Sequence, residues 1–502
     1  MATEPALSAR IMDFALGHPS AAVPDDLLEW AAGRFLDTVG VALACASFDL
    51  GTAGARLVRA DPAPGPASVW ASGGLRARAT DACLANGMLA HGMDYDDTHP
   101  ATMIHPSVVV APTALALGEE TGATGRDIVA AGVIGYEVAA RLGVLAEGRL
   151  QKRGFHPTAI IGIFAATAVA CRLLGVGRAE AVNAAGLAGS MASGLMEYLS
   201  DGSDAKQMHP GWAANAAVTA VRLARCGATG PATVLEGPSG VYRSFAGVDL
   251  TPEGASSALD GLGWEWVGTR VAPKPYPAGH CIHAPVDAWR ALRERLGLRP
   301  SDTGRIRRLT ALVPSAYLHL VCDPLETKRA PRTVYDARFS LPFSLALTVV
   351  DGGLELDSYR ADRLRDQRVL DIARRVDYQV LEYDEYPSAF PGGVRIELDD
   401  GTRHEQHVRH NAGSLGNPMS TGDLDAKFLG GARRLADQAT SERLLSSLRG
   451  LPAAPSASEF TAAMAAISVP SERLPERSSE GLAHPEGDHQ RDQPAGDHQE
   501  AR

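Results

Sequence analysis

Between Ala90 and Pro106 the chain reads AHGMDYDDTHPATMIHP. These seventeen residues hold Asp94, Asp96, Asp97 and Thr98, and the histidines His91, His99 and His105. Carboxylates, a hydroxyl and imidazoles at this density can take a proton from a substrate and return it. Two other structures are open to the same residues. One is a helix end with exposed aspartates, capped at Thr98. The other is a calcium loop, although the glycine and closing glutamate of an EF-hand are missing.

Two further groups lie downstream. DGSDAKQMHPG, residues 201–211, carries Lys206 and His209 and reads as a Gly/Pro-bounded loop between apolar helices. Rigidly held loops are where chemistry tends to sit. KPYPAGHCIH places Lys274, Tyr276, His280 and His283 within ten residues, with prolines stiffening the backbone. His280 and His283 share a face if that stretch is helical. A two-histidine metal site is the rival, and no third ligand follows at a recognisable spacing. GFHPT sets His156 just before a proline suited to start a helix, where a histidine is more often a cap or core residue. His404, His407 and His410 fall on an expected strand, alternate between its faces and read as solvated. No GxGxxG, P-loop, GxSxG or HExxH pattern occurs. The three main groups are expected to meet around one small anionic substrate.

The elements that must position them are mostly helical. The chain has 502 residues, enough for more than one core, and its hydrophobic share is 45%. Abundant Ala and Gly favour close helix packing. The net charge of -11 argues against nucleic acid as a partner. Six cysteines form no CxxC pair, which removes the usual zinc and iron–sulfur spacing. With no secretory signal read at the start, a cytoplasmic location is expected. The longest apolar run, 158–171, is shorter than a bilayer span, so no membrane partner is expected.

Helical periodicity predicts helices over 78–93, 105–120, 126–145, 158–174, 178–195 and 211–226, broken at Gly or Pro. Almost no strand pattern precedes residue 265. Alternation then appears at 305–313 and 376–382, with an apolar run at 342–350. Residues 393–408 form a hairpin around Asp399-Asp400-Gly401. Helical pattern returns at 423–449 and 458–467. The predicted fold is mainly α. A large helical domain, 1–269 and 411–468, is closed by both chain ends, and an α+β lid domain, 270–410, is inserted in it. Residues 469–502, charged and poor in apolar side chains, read as a disordered tail.

LANGMLAHGMDYDDTHPATMIHPS, GFHPTAIIG, DGSDAKQMHPGWAA, GATGPATVLEG, KPYPAGHCIHAPVDA and CDPLETKRAPRTVYDARFSLPF together resemble the MmgE/PrpD family. Its members include 2-methylcitrate dehydratase, cis-aconitate decarboxylase and iminodisuccinate epimerase. The resemblance runs from about residue 6 to 465. It implies a helical domain with an α+β lid, a homodimer, and no metal or organic cofactor. Carried over by position, it implies Asp94, His105, His156, Lys206 and Lys274 as catalytic groups. Thr98, His209, His280, His283 and Tyr317 would contact substrate, with Tyr317 matched less securely. Two departures sit where substrate would lie. Ala278 and Gly279 stand where relatives often have cysteines, and Met103-Ile104 lengthens the spacer before His105.

The reactions of such a family share an enolate-like centre beside a carboxylate, which cations must stabilise. Lys206 and Lys274 suit that task. His105 or His156 would be the acid or base. Asp94 would orient a histidine or act as base, and Thr98 and Tyr317 would bond substrate oxygens. The expected activity is a lyase on a small polycarboxylate, with dehydration ahead of decarboxylation. An isomerase or epimerase is the alternative class.

Overall fold

Two glycines fix the crossing on which the rest is hung. The helix Ala79–Ala90 packs against the helix Ala205–Arg225. In the computed structural model, which describes residues 5–469, a Cβ on Gly87 would stand 2.6 Å from the Cα of Gly211. A Cβ on Gly211 would stand 2.2 Å from the carbonyl oxygen of Leu84. Only glycine allows this approach. It brings the acidic loop that follows Ala90 beside the first turns of the second helix.

That second helix starts earlier than the sequence suggests. Residues 205–211 are not a loop: the helix already contains Lys206 and His209 and runs through Pro210. Proline removes one backbone donor and reads as a boundary. Here a continuous buried face, with Lys206, His209, Ala213, Ala214 and Ala217, carries the helix through it. A second revision concerns His105, which stands just ahead of the helix Ser107–Thr121 rather than within it. The helices Ser107–Thr121, Gly125–Val144 and Gly162–Leu173 are buried along nearly all their length. Helices apolar on every side belong at the centre of a fold. The expected 158–174 helix breaks at Ile161, and the expected 423–449 helix is two, Thr421–Ala432 and Gln438–Arg449. The second of these is capped by Asp437, which accepts from the Thr440 amide.

The first strands, β1 (Ala67–Ser68) and β2 (Arg76–Ala77), form a minimal antiparallel ladder. The main sheet has four strands in the order β4-β3-β5-β6: β3 Ile306–Val313, β4 Val376–Val380, β5 Gly392–Leu398 and β6 Arg403–Val408. β3 runs parallel to β4 and antiparallel to β5, and β5–β6 is the expected hairpin with Ile396 opposite His404. The apolar run 342–350 is a buried helix, Leu341–Asp351, capped by Ser340 and ended at Gly352. Periodicity cannot separate a short buried helix from a buried strand. The helix His283–Leu296 packs across β5 and β6.

The molecule is thus mainly helical with a small sheet. One hydrophobic cluster draws on residues from Leu7 to Val271 and again from Phe428 to Ile467. A second draws on residues from Tyr276 to Leu398. No helix among the described residues is long and apolar enough to cross a membrane. The tail expected beyond Val469 lies outside the described residues.

Candidate active site

The loop after Ala90 is held by three successive carbonyls. Arg338 donates to the oxygen of Met93 (3.2 Å), Lys274 to that of Asp94 (3.0 Å) and Lys427 to that of Tyr95 (2.9 Å). Arg338 also donates to Pro277 O (2.9 Å), so it clamps this loop to the segment that bears Lys274. Thr98 and Ala272 exchange both backbone hydrogen bonds, 2.9 and 2.8 Å. Within this frame Asp94 adopts φ 55°, a left-handed conformation uncommon for a residue with a Cβ.

Asp94 is the electrostatic centre. Lys206 Nζ lies 2.5 Å from its Oδ1, and Lys274 Nζ lies 2.9 Å from its Oδ2. All three side chains are buried. Burial alone would push the Asp94 carboxyl up, but the two ammonium groups outweigh it and hold it well below the usual carboxylate range. Burial works against the Lys206 charge too, yet Asp94 holds its pKa well above the ordinary value. Lys206 Nζ also sits 5.0 Å from the centre of the Phe339 ring.

A group of histidines stands beside this ion triad. His105 Nδ1 is 2.7 Å from Asp97 O, 3.2 Å from Thr98 Oγ1 and 3.3 Å from Asp96 Oδ2. A carbonyl only accepts, so Nδ1 carries the proton and Nε2 is left with a free lone pair when the ring is neutral. His91 Nδ1 lies 2.9 Å from Asp96 Oδ2, and its Nε2 is buried without a partner. His156, immediately before the helix Pro157–Ile160, meets His209 with Nδ1 atoms 3.1 Å apart. Burial lowers the pKa of all four rings, to about 3 for His105 and about 4 for His209. They are therefore neutral imidazoles near pH 7. Burial also pushes Asp97 up to about 7, although Ser107 donates to its carboxylate.

Part of this cluster faces a cavity that is partly open to solvent. Asp94, Thr98, His105, His156, Lys206, Lys274 and His280 are among its polar lining. Met103, Met196, Leu199, Leu320, Val321 and Phe339 supply its apolar lining. Three of the predicted residues are not in the lining. His209 stands behind His156. His283 lies under His280, with ring centres 4.7 Å apart, and donates from Nε2 to Ala278 O at 3.1 Å. Tyr317 is buried among Tyr386 and Phe390 and its hydroxyl has no partner. His280 stacks on Phe390 at 4.4 Å. His407 pairs with Glu405 on exposed β6, away from the cavity.

Sequence reasoning missed several residues of the site. His91 and Asp96 were visible in the acidic stretch, but nothing in the spacing separates them from their neighbours. Arg338, inside RTVYDARFS, carries a signal that was available: an arginine beside an apolar run needs buried acceptors. The apolar wall carries none, since Leu320 and Val321 read as ordinary core. Among groups able to hold a metal, nitrogens of His91, His105 and His156 all lie within 4.8 Å of one another.

Comparison with known proteins gives two adjoining matches. The model of the MmgE/PrpD N-terminal domain matches residues 9–252, and that of the MmgE/PrpD C-terminal domain matches residues 276–450. The gap between them falls where the first hydrophobic cluster hands over to the second. Cis-aconitate decarboxylase of Homo sapiens is 29% identical over 398 residues, covering 76% of this chain and 79% of that protein. Cis-aconitate decarboxylase of Aspergillus terreus is 26% identical over 444 residues, 86% and 89% of the two chains. The cis-aconitate decarboxylase-like protein oryM of Aspergillus oryzae is 24% identical over 396 residues, 76% and 81%.

Proposed function

The chain belongs to the MmgE/PrpD family, and from that premise we propose that it is a lyase that removes carbon dioxide from a small unsaturated polycarboxylate of the cis-aconitate type. The observation that carries the proposal is the mixed polar and apolar lining of the cavity. Two ammonium groups and three imidazoles share its lining with apolar side chains.

One substrate carboxylate would join Asp94 at Lys206 and Lys274. A second, pressed against Met103, Leu320 and Val321, would lose its water and be destabilised as an anion. Carbon dioxide is neutral and gains from the same wall. As the C–C bond breaks, its electron pair moves through the adjacent double bond towards the carboxylate held by the lysines, which stabilise the dienolate. A proton then closes the new C–H bond. Each turnover consumes one proton and releases one CO2, leaving an unsaturated acid with one negative charge fewer. His105 is the proton donor we favour, with His156 as the other candidate. The incoming polyanion raises the affinity of the neutral ring for the proton it must deliver. Thr98 and His280 would bond substrate oxygens, and His209 would hold His156. His283 and Tyr317 would act only through His280 and Phe390.

The sequence alone put dehydration first. Decarboxylation moves ahead because the curated relatives carry that activity in their names and because the apolar lining suits carbon dioxide better than water as the group released. The part of the chain around the four-stranded sheet would serve as a lid over the cavity. A cytoplasmic homodimer completes the proposal. Leu195, Leu199, Met208 and Trp212, all exposed along one short stretch near the cavity, would be covered in such a dimer.

Proton NMR of the purified protein in D2O with cis-aconitate, 2-methylcitrate and aminated succinates tests the reading. Decarboxylation gives CO2 and one deuterium on the new C–H carbon. A new alkene formed with loss of water would replace it by dehydration, and solvent exchange without net product by isomerisation.

A further inference from the structure

We propose that His91, His105 and His156 form a capture site for one borderline transition-metal ion, zinc above all, and that the bound ion shuts the lyase off by occupying its acid–base imidazoles. The blocking role rests on the function proposed above; the binding does not.

Three observations converge. The ring centres lie 5.1 Å (His91–His105), 5.6 Å (His91–His156) and 6.0 Å (His105–His156) apart, and ligand nitrogens from all three lie within 4.8 Å of one another. A tetrahedral ion with bonds of about 2.0–2.1 Å holds its nitrogens about 3.4 Å apart. Small side-chain rotations close that difference. Next, each ring is already gripped from behind: His91 by Asp96, His105 by the Asp97 carbonyl, and His156 by His209. Such outer partners fix the ring and leave the opposite nitrogen as ligand. Last, His91 Nε2 is fully buried with no partner, beside two rings whose free nitrogens adjoin the cavity. Of the buried imidazole nitrogens without a partner, this one adjoins two further rings within ligand distance, and the lyase chemistry does not use it.

The donor set decides the class of ion. Three neutral imidazoles suit zinc, cobalt, nickel or copper and not magnesium or calcium, which take oxygen ligands. The local charges already balance, since Asp94 and Asp96 oppose Lys206 and Lys274. The fourth coordination position then opens towards the cavity, where the polycarboxylate would sit.

The test uses untagged, chelator-treated full-length protein. Zinc is titrated by calorimetry, cobalt by its ligand-field absorption, and turnover is followed in parallel. The expected result is a one-to-one site per chain that magnesium does not fill. Its occupancy removes activity in proportion, and EDTA restores it. His91→Gln should weaken that site at least 10-fold while the variant melts as a folded protein. Asp96→Asn, which loosens the grip on His91 and His105, should weaken it in the same direction and serves if His91→Gln does not fold. Histidines elsewhere, including the three in residues 470–502, bind independently of both changes. Metal binding that neither variant alters, or no stoichiometric binding, overturns the proposal. A site that depends on His91 but leaves turnover intact refutes the blocking role. The cobalt signal needs no substrate, so a failure to find turnover does not obscure it.

Discussion

Replacing Asp94 by Asn tests the electrostatic core directly. The change is nearly isosteric but leaves two buried ammonium groups, 2.5 and 2.9 Å away, without their counter-ion. At an effective dielectric constant near 20, each contact at ~3 Å contributes roughly 5 kcal/mol of attraction, much of it offset by desolvation. Breaking buried pairs of this kind costs about 3–5 kcal/mol. The sign with pH follows from the shifts. The Asp94 pKa is depressed, so its contribution is present above the unfolded value of about 3.9 and is lost as pH falls through the folded one. The Lys206 pKa is raised, so its share of the same pair holds below about 10.4 and fades as pH rises past its folded value. Urea unfolding between pH 5 and 9 should therefore show the variant less stable throughout. A saturated, unreactive tricarboxylate should then stabilise Asp94→Asn more than it stabilises the parent, because its carboxylate meets ammonium groups that nothing else neutralises. If the variant matches the parent in stability and gains no extra protection, Asp94 is not the counter-ion that this reasoning requires.

Other outcomes follow from the same geometry. Lys206→Met and His105→Ala should each stay folded by circular dichroism, yet lower kcat by about 10²–10⁴ in a CO2-release assay. Gly87→Val should lower the unfolding midpoint by an amount equivalent to about 1–3 kcal/mol, since its Cβ meets Gly211 at 2.6 Å. It should also reduce turnover, because the crossing sets the distance from Asp94 to Lys206. Burial holds His105 and His283 at about 3 and His99 and His209 at about 4. Their folded pKa values lie below the unfolded value near 6.5, so the stability they represent is full above that pH and is lost as pH falls towards 3. Urea midpoints should drop steeply between pH 6 and 4, with uptake of several protons on unfolding; a flat profile there would contradict the buried neutral histidines.

What the sequence made legible was the polar chemistry. Lysine, histidine and aspartate are conspicuous inside Ala- and Gly-rich helical runs, so Asp94, His105, Lys206 and Lys274 stood out, and they meet at one cavity. The apolar lining did not stand out, because Leu320, Val321 and Phe339 differ from core residues only in what they face. Pro210 hid the true start of the helix that carries Lys206. It reads as a boundary locally, and only the buried face against Ala79–Ala90 overrides it.

The least legible part is what keeps the acidic loop in place, and it explains why Asp94 can hold a left-handed backbone. Arg338, Lys274 and Lys427 donate to the carbonyls of Met93, Asp94 and Tyr95 in turn. They come from three separate stretches of chain, so no local pattern announces them. Each is a buried cation, and a backbone carbonyl meets only part of its need. Asp94 supplies the rest for Lys274, and Asp37 does so for Lys427 at 2.8 Å. A strained conformation persists only where its surroundings over-determine it. Three cations on three consecutive carbonyls do that here, and the same arrangement turns the Asp94 carboxylate towards Lys206. The backbone strain and the ion triad are therefore one device, and the cavity inherits its two lysines from it.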